Sequence, residues 1–169
     1  LKQYQASLEN QVEERIAELS EATERLKESE MRYRSVVELS PDSIAISDTK
    51  GELIYVNQAA VKLYRADSKA EILDYPGWQF IPPASQAVAR PWAKRLLSGQ
   101  PVPPLTYQLQ TRDKQLIDVE VHATLIEYNK QPAILAIAHD ITDRKQVEAQ
   151  LRYQADLLEN VSDAIISTD

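Results

Sequence analysis

Cysteine is absent from this chain of 169 residues, and histidine occurs only twice. Without cysteine the chain can form no disulfide, no thiolate metal site and no covalent bond between a cysteine and a flavin. No apolar run approaches the roughly 18 residues that a membrane-spanning helix requires, and no signal peptide is visible. We therefore expect the chain to be cytoplasmic, while a membrane anchor further upstream in its parent protein stays open.

Excess positive charge is also lacking. The formal net charge is −7 and no basic stripe offsets it, which argues against a nucleic-acid partner. Apolar residues make up 43% of the chain and charged residues 27%, as in ordinary soluble globular proteins. The length suffices for one domain with extensions. Because the sequence begins at Leu1 and stops at Asp169 in the middle of a pattern, we expect it to be a piece of a longer protein.

The first 39 residues contain no glycine or proline and are predicted to form one long helix. Its heptads place Gln5, Val12, Leu19, Leu26 and Tyr33 at position a and Leu1, Leu8, Arg15, Ala22, Ser29 and Val36 at position d. A helix this charged has nothing of its own to bury its apolar seam against, so the pattern predicts a parallel homodimer. The dimer contacts are expected at Leu1, Leu8, Val12, Leu19, Leu26 and Tyr33. A single solvated helix is the alternative.

Residues 133–145 join a predicted strand directly to a predicted helix. The first half of this stretch is a short apolar run of the kind found in buried strands. Asp140 and Thr142 can then cap a helix, because a side-chain oxygen accepts from the free N–H groups of a first turn. From Arg144 onward apolar residues recur at spacings of four and three, as on one face of a helix. A change inside the domain could be passed outside it at this junction.

The middle of the chain has the pattern of a sheet with short helices. Strands are predicted at residues 43–48, 52–56, 103–111, 115–128 and 133–141. Short helices are expected after the capping residues Asn57 and Ser68, the second with a capping box completed by Glu71. A longer helix is expected at residues 84–98, where Pro91 should kink or interrupt it. Two strands, several helices and three more strands favour an α+β fold, a five-stranded antiparallel sheet with helices on one face.

A family resemblance is carried by the end of the last strand. It reads Asp140-Ile141-Thr142 followed by Asp143-Arg144-Lys145 and resembles the C-terminal signature of PAS domains, the sensory modules of bacterial signalling proteins. Residues 33–38 resemble the first helix of that family, and residues 41–44 and 51–60 resemble its first hairpin and the helix after it. The resemblance implies the strand order 2-1-5-4-3, which places the last strand in the middle of the sheet.

The resemblance also implies a division of the chain into four parts. Residues 1–39 form the helix of the predicted coiled coil, residues 40–142 the PAS domain and residues 143–160 a linker helix. Residues 161–169 are predicted to be the truncated start of a second PAS domain. This last prediction rests on a repeat in which Glu38, Asp42, Ile44 and Asp48 recur, at one common offset, as Glu159, Asp163, Ile165 and Asp169. A chance match in a short amphipathic segment is the alternative.

Between the sheet and its helices the resemblance implies a small, largely apolar cavity. The residues expected in its wall are Tyr64, Trp78, Phe80, Trp92 and Leu96. The cofactor is unknown, and a non-covalent flavin beside the two tryptophans stays open. Haem is not expected, because the family carries its haem histidine on the long helix, here residues 84–98, which contains none.

No binding or signal-coupling role is predicted for the two histidines or for three residues at turns. His139 is interpreted as a junction residue, and His122 lies on the polar face of a predicted strand; neither has a second ligand nearby, so no metal site is predicted. Arg65, Lys114 and Lys130 stand at turns where the family usually has glycine, which leaves the geometry of those turns open.

The function that the resemblance implies is that of a sensory or relay module in a multidomain bacterial signalling protein of the histidine kinase or diguanylate cyclase type. Asp140, Ile141, Thr142 and Arg144 would couple the sheet to the exit helix and so to a linked second PAS domain and an output domain. Kinase and cyclase motifs are missing, so this chain is not expected to be an enzyme. The alternatives are a ligand-free dimerisation spacer and a sensor with non-covalent flavin or haem.

Overall fold

The computed structural model describes the backbone from residue 2 to residue 166 and the side chains from residue 10 to residue 157. The chain divides into two units, one that ends at Leu39 and one that starts at Ser40. The first unit is a single helix, α1 (Lys2–Leu39). The second contains a sheet, four further helices and a 3₁₀ turn.

Helix α1 carries ion pairs along its surface and ends where a proline approaches. In the pairs Glu30–Arg34 at 2.7 Å and Arg15–Glu18 at 2.8 Å, the two partners are about one helical turn apart. Both pairs are solvent-exposed, so each contributes only about 0.3 kcal/mol to stability. Pro41 pushes the preceding Ser40 out of the helical region, and the helix accordingly ends at Leu39.

The predicted seam of α1 lies on the surface of the helix. The described position-a residues Val12, Leu19, Leu26 and Tyr33 are all more than half exposed. Leu1 and the side chain of Leu8 lie outside the described residues. The predicted seam is therefore a row of exposed apolar side chains on the described part of α1. This row is the reason why a partner helix is predicted from the sequence.

Five antiparallel strands form one sheet in the order β2-β1-β5-β4-β3, as predicted. The strands are β1 (Ser43–Asp48), β2 (Leu53–Val56), β3 (Leu105–Gln110), β4 (Leu116–Tyr128) and β5 (Gln131–Asp140). The last strand lies in the middle, where Ala136 is opposite Ala45 of β1 and Ala138 is opposite Val121 of β4. The α+β fold class and the strand order are thus confirmed.

Strand β4 separates the two faces of the sheet by strict alternation. Ile117, Val119 and Val121 are buried on the inner face, which packs against the helices. Asp118 and Glu120 alternate with them and lie on the outer face, because successive side chains of a strand point to opposite sides. The alternation predicted for this strand is confirmed, and it places charge on one face and core on the other.

Short helices follow the first hairpin. They are α2 (Gln58–Tyr64) and α3 (Lys69–Leu73), followed by the 3₁₀ turn (Gly77–Phe80). Asn57 and Ser68 cap them as predicted, accepting from the backbone N–H groups of Ala60 and Glu71. The capping box differs by one residue, because the Glu71 carboxylate accepts from the N–H of Asp67.

The long helix α4 (Pro83–Leu97) continues through Pro91, so of the two outcomes expected for this proline, a kink or an interruption, the interruption does not occur. A proline has no N–H to donate to the carbonyl one turn earlier, here that of Ala87. Both residues are exposed, so water can satisfy that carbonyl and the break is avoided.

Asn57 ties the first hairpin to α2 from a completely buried position. Its Oδ1 accepts from the N–H groups of Ile44 and Ala60, each at 3.0 Å, and its Nδ2 donates to the carbonyl of Asp42 at 3.0 Å. A single amide therefore satisfies backbone groups at the start of β1 and at the start of a helix. The base of β1 is fixed to the helical layer in this way.

The turns that lack glycine keep the backbone conformation that glycine favours. Arg65, Lys114 and Lys130 have φ angles of 53°, 68° and 62°, all in the left-handed region. Asn129 precedes Lys130 with a φ of 51°, so the β4–β5 hairpin turns through two left-handed residues. The family geometry is retained at these turns, at the steric cost that a side chain brings to such a backbone.

Helix α5 (Thr142–Ile166) leaves the end of β5 and continues to the limit of the described backbone. Residues 164–166, which were expected to open the first strand of a second PAS domain, belong to this helix. Residues 167–169 lie outside the described residues. Across the described helices, none is both long and apolar enough to cross a membrane.

Replacing Lys130 with glycine should stabilise the fold. The left-handed backbone is strained for lysine and not for glycine, so Lys130→Gly is expected to raise the free energy of unfolding by about 0.5–1 kcal/mol and the Tm by about 2–4 °C. Lys94 lies in the regular helix α4, and Lys94→Gly should lower the free energy of unfolding by about 1 kcal/mol. Thermal unfolding of both variants checks this, and a lower Tm for Lys130→Gly would contradict it.

Candidate functional site

One buried residue separates the last strand from the exit helix. Strand β5 ends at Asp140 and α5 begins at Thr142, with Ile141 between them only 2% exposed. Asp140 Oδ1 accepts from the backbone N–H of Thr142 at 2.9 Å, which satisfies a free donor of the first turn. The change from strand to helix therefore takes place without a loop.

Asp118 of the neighbouring strand β4 holds this junction by three bonds. Its backbone N–H donates to Thr142 Oγ1 at 2.9 Å, and its carbonyl accepts from the N–H of Ile141 at 2.9 Å. Its carboxylate Oδ1 accepts from Lys145 Nζ at 2.7 Å. The last of these is a charge-assisted bond between partly exposed groups. The first turn of α5 is thus bonded to β4 as well as to β5.

Arg144 makes a looser contact with the sheet. Its Nη2 lies 3.7 Å from Glu120 Oε1 on β4, and its Nε lies 3.9 Å from Glu148 one turn along α5. Its side chain is more than half exposed, so these ion pairs contribute little on their own. Arg144 therefore contacts β4 of the sheet.

Sequence reasoning identified one side of this junction and missed the other. Asp140, Ile141, Thr142 and Arg144 all lie at the junction, whereas Asp118 was not among the predicted coupling residues. Asp118 could have been found by combining two predictions. The strand order puts β4 beside β5, and alternation puts Asp118 on the outer face where that pair of strands ends.

The hydroxyl of Thr142 should protect the amide proton of Asp118. Thr142→Val keeps the shape of the side chain but removes the acceptor, so exchange of the Asp118 amide with solvent is expected to accelerate about fivefold, as for the loss of one hydrogen bond. Thr142→Ser keeps the acceptor and should retain the protection. Residue-resolved hydrogen exchange by NMR distinguishes them, and equal rates in the two variants would contradict the bond.

A cavity of about 130 Å³ lies between the inner face of the sheet and the helices. Tyr64, Trp78 and Trp92 line it as expected from the resemblance. Phe80 does not, because its ring packs into the core with its centroid 4.6 Å from that of Tyr64. Leu96 is buried on α4 without lining the cavity, and the next residue, Leu97, takes that place.

The wall of the cavity is mostly apolar and carries no basic side chain among its described residues. Two phenols, Tyr64 and Tyr107, contribute polar groups. Burial raises the pKa of Tyr64 to about 12. Burial, and to a lesser extent the neighbouring Tyr64, raises the pKa of Tyr107 above its ordinary value. Both hydroxyls therefore stay protonated at physiological pH and can donate hydrogen bonds.

The two tryptophans present rings rather than free N–H groups to the cavity. Trp78 Nε1 donates to the carbonyl of Lys50 at 3.0 Å, and Trp92 Nε1 donates to that of Pro103 at 2.8 Å. The Trp78 ring also lies so close to Gly51 that a Cβ there would approach Nε1 to 2.0 Å. Glycine at position 51 is therefore required for this ring to close the side of the cavity next to the β1–β2 turn.

The histidines lie away from the cavity. His122 and His139 are on the outer face of β4 and β5, opposite the face that lines it. His122 Nε2 lies 3.7 Å from Glu120, and His139 Nδ1 lies 2.6 Å from Asp42 Oδ1. Neither ring can reach a group bound in the cavity. Within the described part of the chain, no cluster of three side chains that could ligate a metal is found.

The PAS domain family matches residues 41–143, which is more than half of the chain. Together with the sheet order and the junction after β5, this match establishes that the chain belongs to the PAS domain family, whose members are sensory modules and are not themselves catalytic.

Two curated proteins are similar to this chain. It is 30% identical over 138 residues to Sporulation kinase A of Bacillus subtilis and 29% identical over 141 residues to the methyl sulfide methyltransferase-associated sensor of Methanosarcina acetivorans. The matched regions cover 79% and 82% of this chain but only 22% and 14% of those proteins. The chain therefore spans less than a quarter of the length of these relatives.

Solved structures share the fold. The PAS domain of an HTR-like protein from Haloarcula marismortui has a TM-score of 0.59 at 26% identity, over 72% of this chain and 99% of that one. A domain of a sensory box sensor histidine kinase/response regulator from Geobacter sulfurreducens has a TM-score of 0.54 at 27% identity, over 68% of this chain and 96% of that one.

Proposed function

We propose that this chain is the sensory or relay PAS module of a multidomain cytoplasmic signalling protein of the histidine kinase or diguanylate cyclase type. It passes a ligand- or partner-induced change in the sheet to α5, and through α5 to a second PAS domain predicted to start at residues 161–169 and to an output domain. The observation that carries this proposal is that the first turn of α5 is bonded to β4 and β5, the same strands whose inner faces line the cavity.

The path from cavity to helix is short. Val121 on β4 and Ala136 on β5 line the cavity. Asp118 lies three residues from Val121, and Asp140 lies four residues from Ala136, which is about 10–13 Å along extended strands. A ligand that changes the spacing or twist of these two strands would therefore change the base on which α5 stands. Asp140 and Thr142 hold the helix to that base, and Arg144 adds a weak contact.

The size and charge of the cavity favour a small, uncharged ligand. Drug-sized molecules occupy about 300–1,000 Å³, whereas an apolar cavity of about 150 Å³ is known to accept a single aromatic ring. At about 130 Å³ the cavity is therefore matched to one ring or a short branched chain with one polar group for a tyrosine hydroxyl. A flavin is too large for it, which weakens the photosensor alternative.

The proposal that the module is a dimer is supported by its first and last helices, α1 and α5. The seam of α1 is exposed, and α5 likewise exposes Val147 and Leu151, which lie one turn apart on the same face. Apolar rows on long helices are buried most simply against the same row of a second copy. In a parallel dimer, a tilt of each α5 would become a change in a helix pair, which is a two-state element of the kind that signalling proteins use.

Phenol is a suitable probe of the relay, since it is a neutral ring with one hydroxyl. NMR titration is expected to shift the amide signals of Val121 and Ala136 in the cavity and those of Thr142 and Lys145 in α5. In Asp140→Ala the cavity shifts should remain and the α5 shifts should be lost, because the cap is gone. Asp140→Asn keeps an acceptor oxygen and should retain both.

The charged analogue benzoate serves as the matched ligand control, because no basic side chain in the cavity wall would compensate its carboxylate. We expect no cavity shifts with benzoate. Unchanged α5 shifts in Asp140→Ala would contradict the coupling. A cavity that binds no phenol would favour the alternative in which the domain is a ligand-free dimerisation spacer.

Native mass spectrometry of the purified chain tests the dimer and weighs any retained ligand. We expect the mass of two chains, with or without a small increment that the denatured mass lacks. Leu19→Glu places charge in the seam of α1 and should shift the distribution to single chains, whereas Glu21→Gln outside the seam should not. Single chains in the unsubstituted protein would contradict the coiled coil.

A further inference from the structure

Asp42 and His139 form a contact that the relay described above does not use. Asp42 lies between the end of α1 at Leu39 and the start of β1 at Ser43. His139 immediately precedes Asp140 at the β5–α5 junction. Asp42 Oδ1 and His139 Nδ1 are 2.6 Å apart, a short hydrogen bond between partly exposed groups. An ionised carboxylate can only accept, so Nδ1 carries the proton.

Strand register explains why these two side chains meet. The β1–β5 ladder begins with Ser43 opposite Ala138, so Asp42 occupies the next position, opposite His139. Beyond that point β5 continues to Asp140 with only β4 as a described strand partner. The Asp42–His139 bond is therefore a cross-strand pair of side chains one position beyond the β1–β5 ladder, immediately before the junction.

Asp42 is itself fixed to the interior of the domain. The buried amide of Asn57 donates to the carbonyl of Asp42 at 3.0 Å and also accepts from Ile44 in β1. The carbonyl of Asp42 is thus held from the core and its carboxylate is held by His139. Asp42 therefore stands between the segment before β1 and His139: its carbonyl is fixed by Asn57, and a change in the orientation of its side chain acts on His139.

The outer face continues this connection toward the exit helix. Glu120 of β4 lies opposite His139 in the β4–β5 ladder, and its Oε1 lies 3.7 Å from Arg144 of α5. Its Oε2 lies 3.7 Å from His122, a neighbour on the same strand. Asp42 just before β1, His139 on β5 and Glu120 on β4 thus lie in one row on the outer face of the sheet, next to Arg144 of α5.

We propose that Asp42 and His139 are positioning residues of a second input, which couples the segment before β1 to the first turn of α5 without passing through the cavity. The proposal rests on the proposed role of the β5–α5 junction as the exit of the domain. It gives the module two inputs, one from a ligand on the inner face and one from the preceding chain on the outer face, that meet at the same helix.

Amide exchange of Thr142 and Lys145, followed by NMR on the intact chain without added ligand, measures opening of the first turn of α5. Asp42→Ala and His139→Gln are each expected to accelerate this exchange about two- to fivefold, the range for the loss of one exposed hydrogen bond. The double variant should be no faster than the single ones, because both remove the same bond. Exchange of the Val119 amide in the interior of the sheet should not change.

Two control variants separate this bond from general effects. Asp42→Asn keeps an acceptor oxygen and should stay close to the unsubstituted chain, and His122→Gln touches Glu120 without touching the Asp42 contact. Additive effects of Asp42→Ala and His139→Gln, unchanged exchange at Thr142 and Lys145, or equal acceleration at Val119 would each overturn the proposal. The phenol-induced shifts of α5 should survive in both variants, so a failure of the cavity route is recognised separately.

Discussion

Asp118 is the residue on which the exit from this domain depends, since its N–H, carbonyl and carboxylate hold three positions of the β5–α5 junction. Each bond contributes only about 1 kcal/mol, but bonds to Ile141, Thr142 and Lys145 in different directions fix an orientation. Helix α5 has 25 residues and is therefore about 37 Å long, so a tilt of about 10° at its base moves its far end by about 6 Å. If the first turn of α5 is held rigidly, a small change in the orientation of the strands becomes a large displacement of the far end of the helix.

The two faces of β4 and β5 make different contacts. Val119 and Val121 belong to the core on the inner face, next to the cavity, whereas Asp118 and Glu120 hold α5 on the outer face. A ligand in the cavity would therefore act on the opposite face of the same two strands that hold α5, with no intervening chain of side chains. Burial raises the pKa of both tyrosine hydroxyls further above the physiological range.

Local pattern was sufficient to predict the fold and half of the junction. Asn57 and Asp140 were predicted as caps because their partners lie two or three residues away along the chain. The Asp118–Thr142 bond joins positions 24 residues apart and depends on strand register, which alternation alone does not specify. Phe80 shows a similar limit, since whether an aromatic residue faces a cavity or the core depends on packing. Whether Pro91 interrupts α4 could not be decided from the sequence either, because the exposure of that helix is not known from it.

Signal transfer from the sheet to α5 requires a rigid β5–α5 junction, and backbone ¹⁵N order parameters measure that rigidity. If the bonds of Asp118 and Asp140 hold the first turn of α5 to the sheet, Thr142 to Lys145 should have order parameters near those of β4 and β5, about 0.85. Values below about 0.6 at these four residues, beside a rigid sheet, would mean that the helix moves independently of the strands. In that case a change in the sheet could not set the direction of α5, and the account given for this module would be wrong.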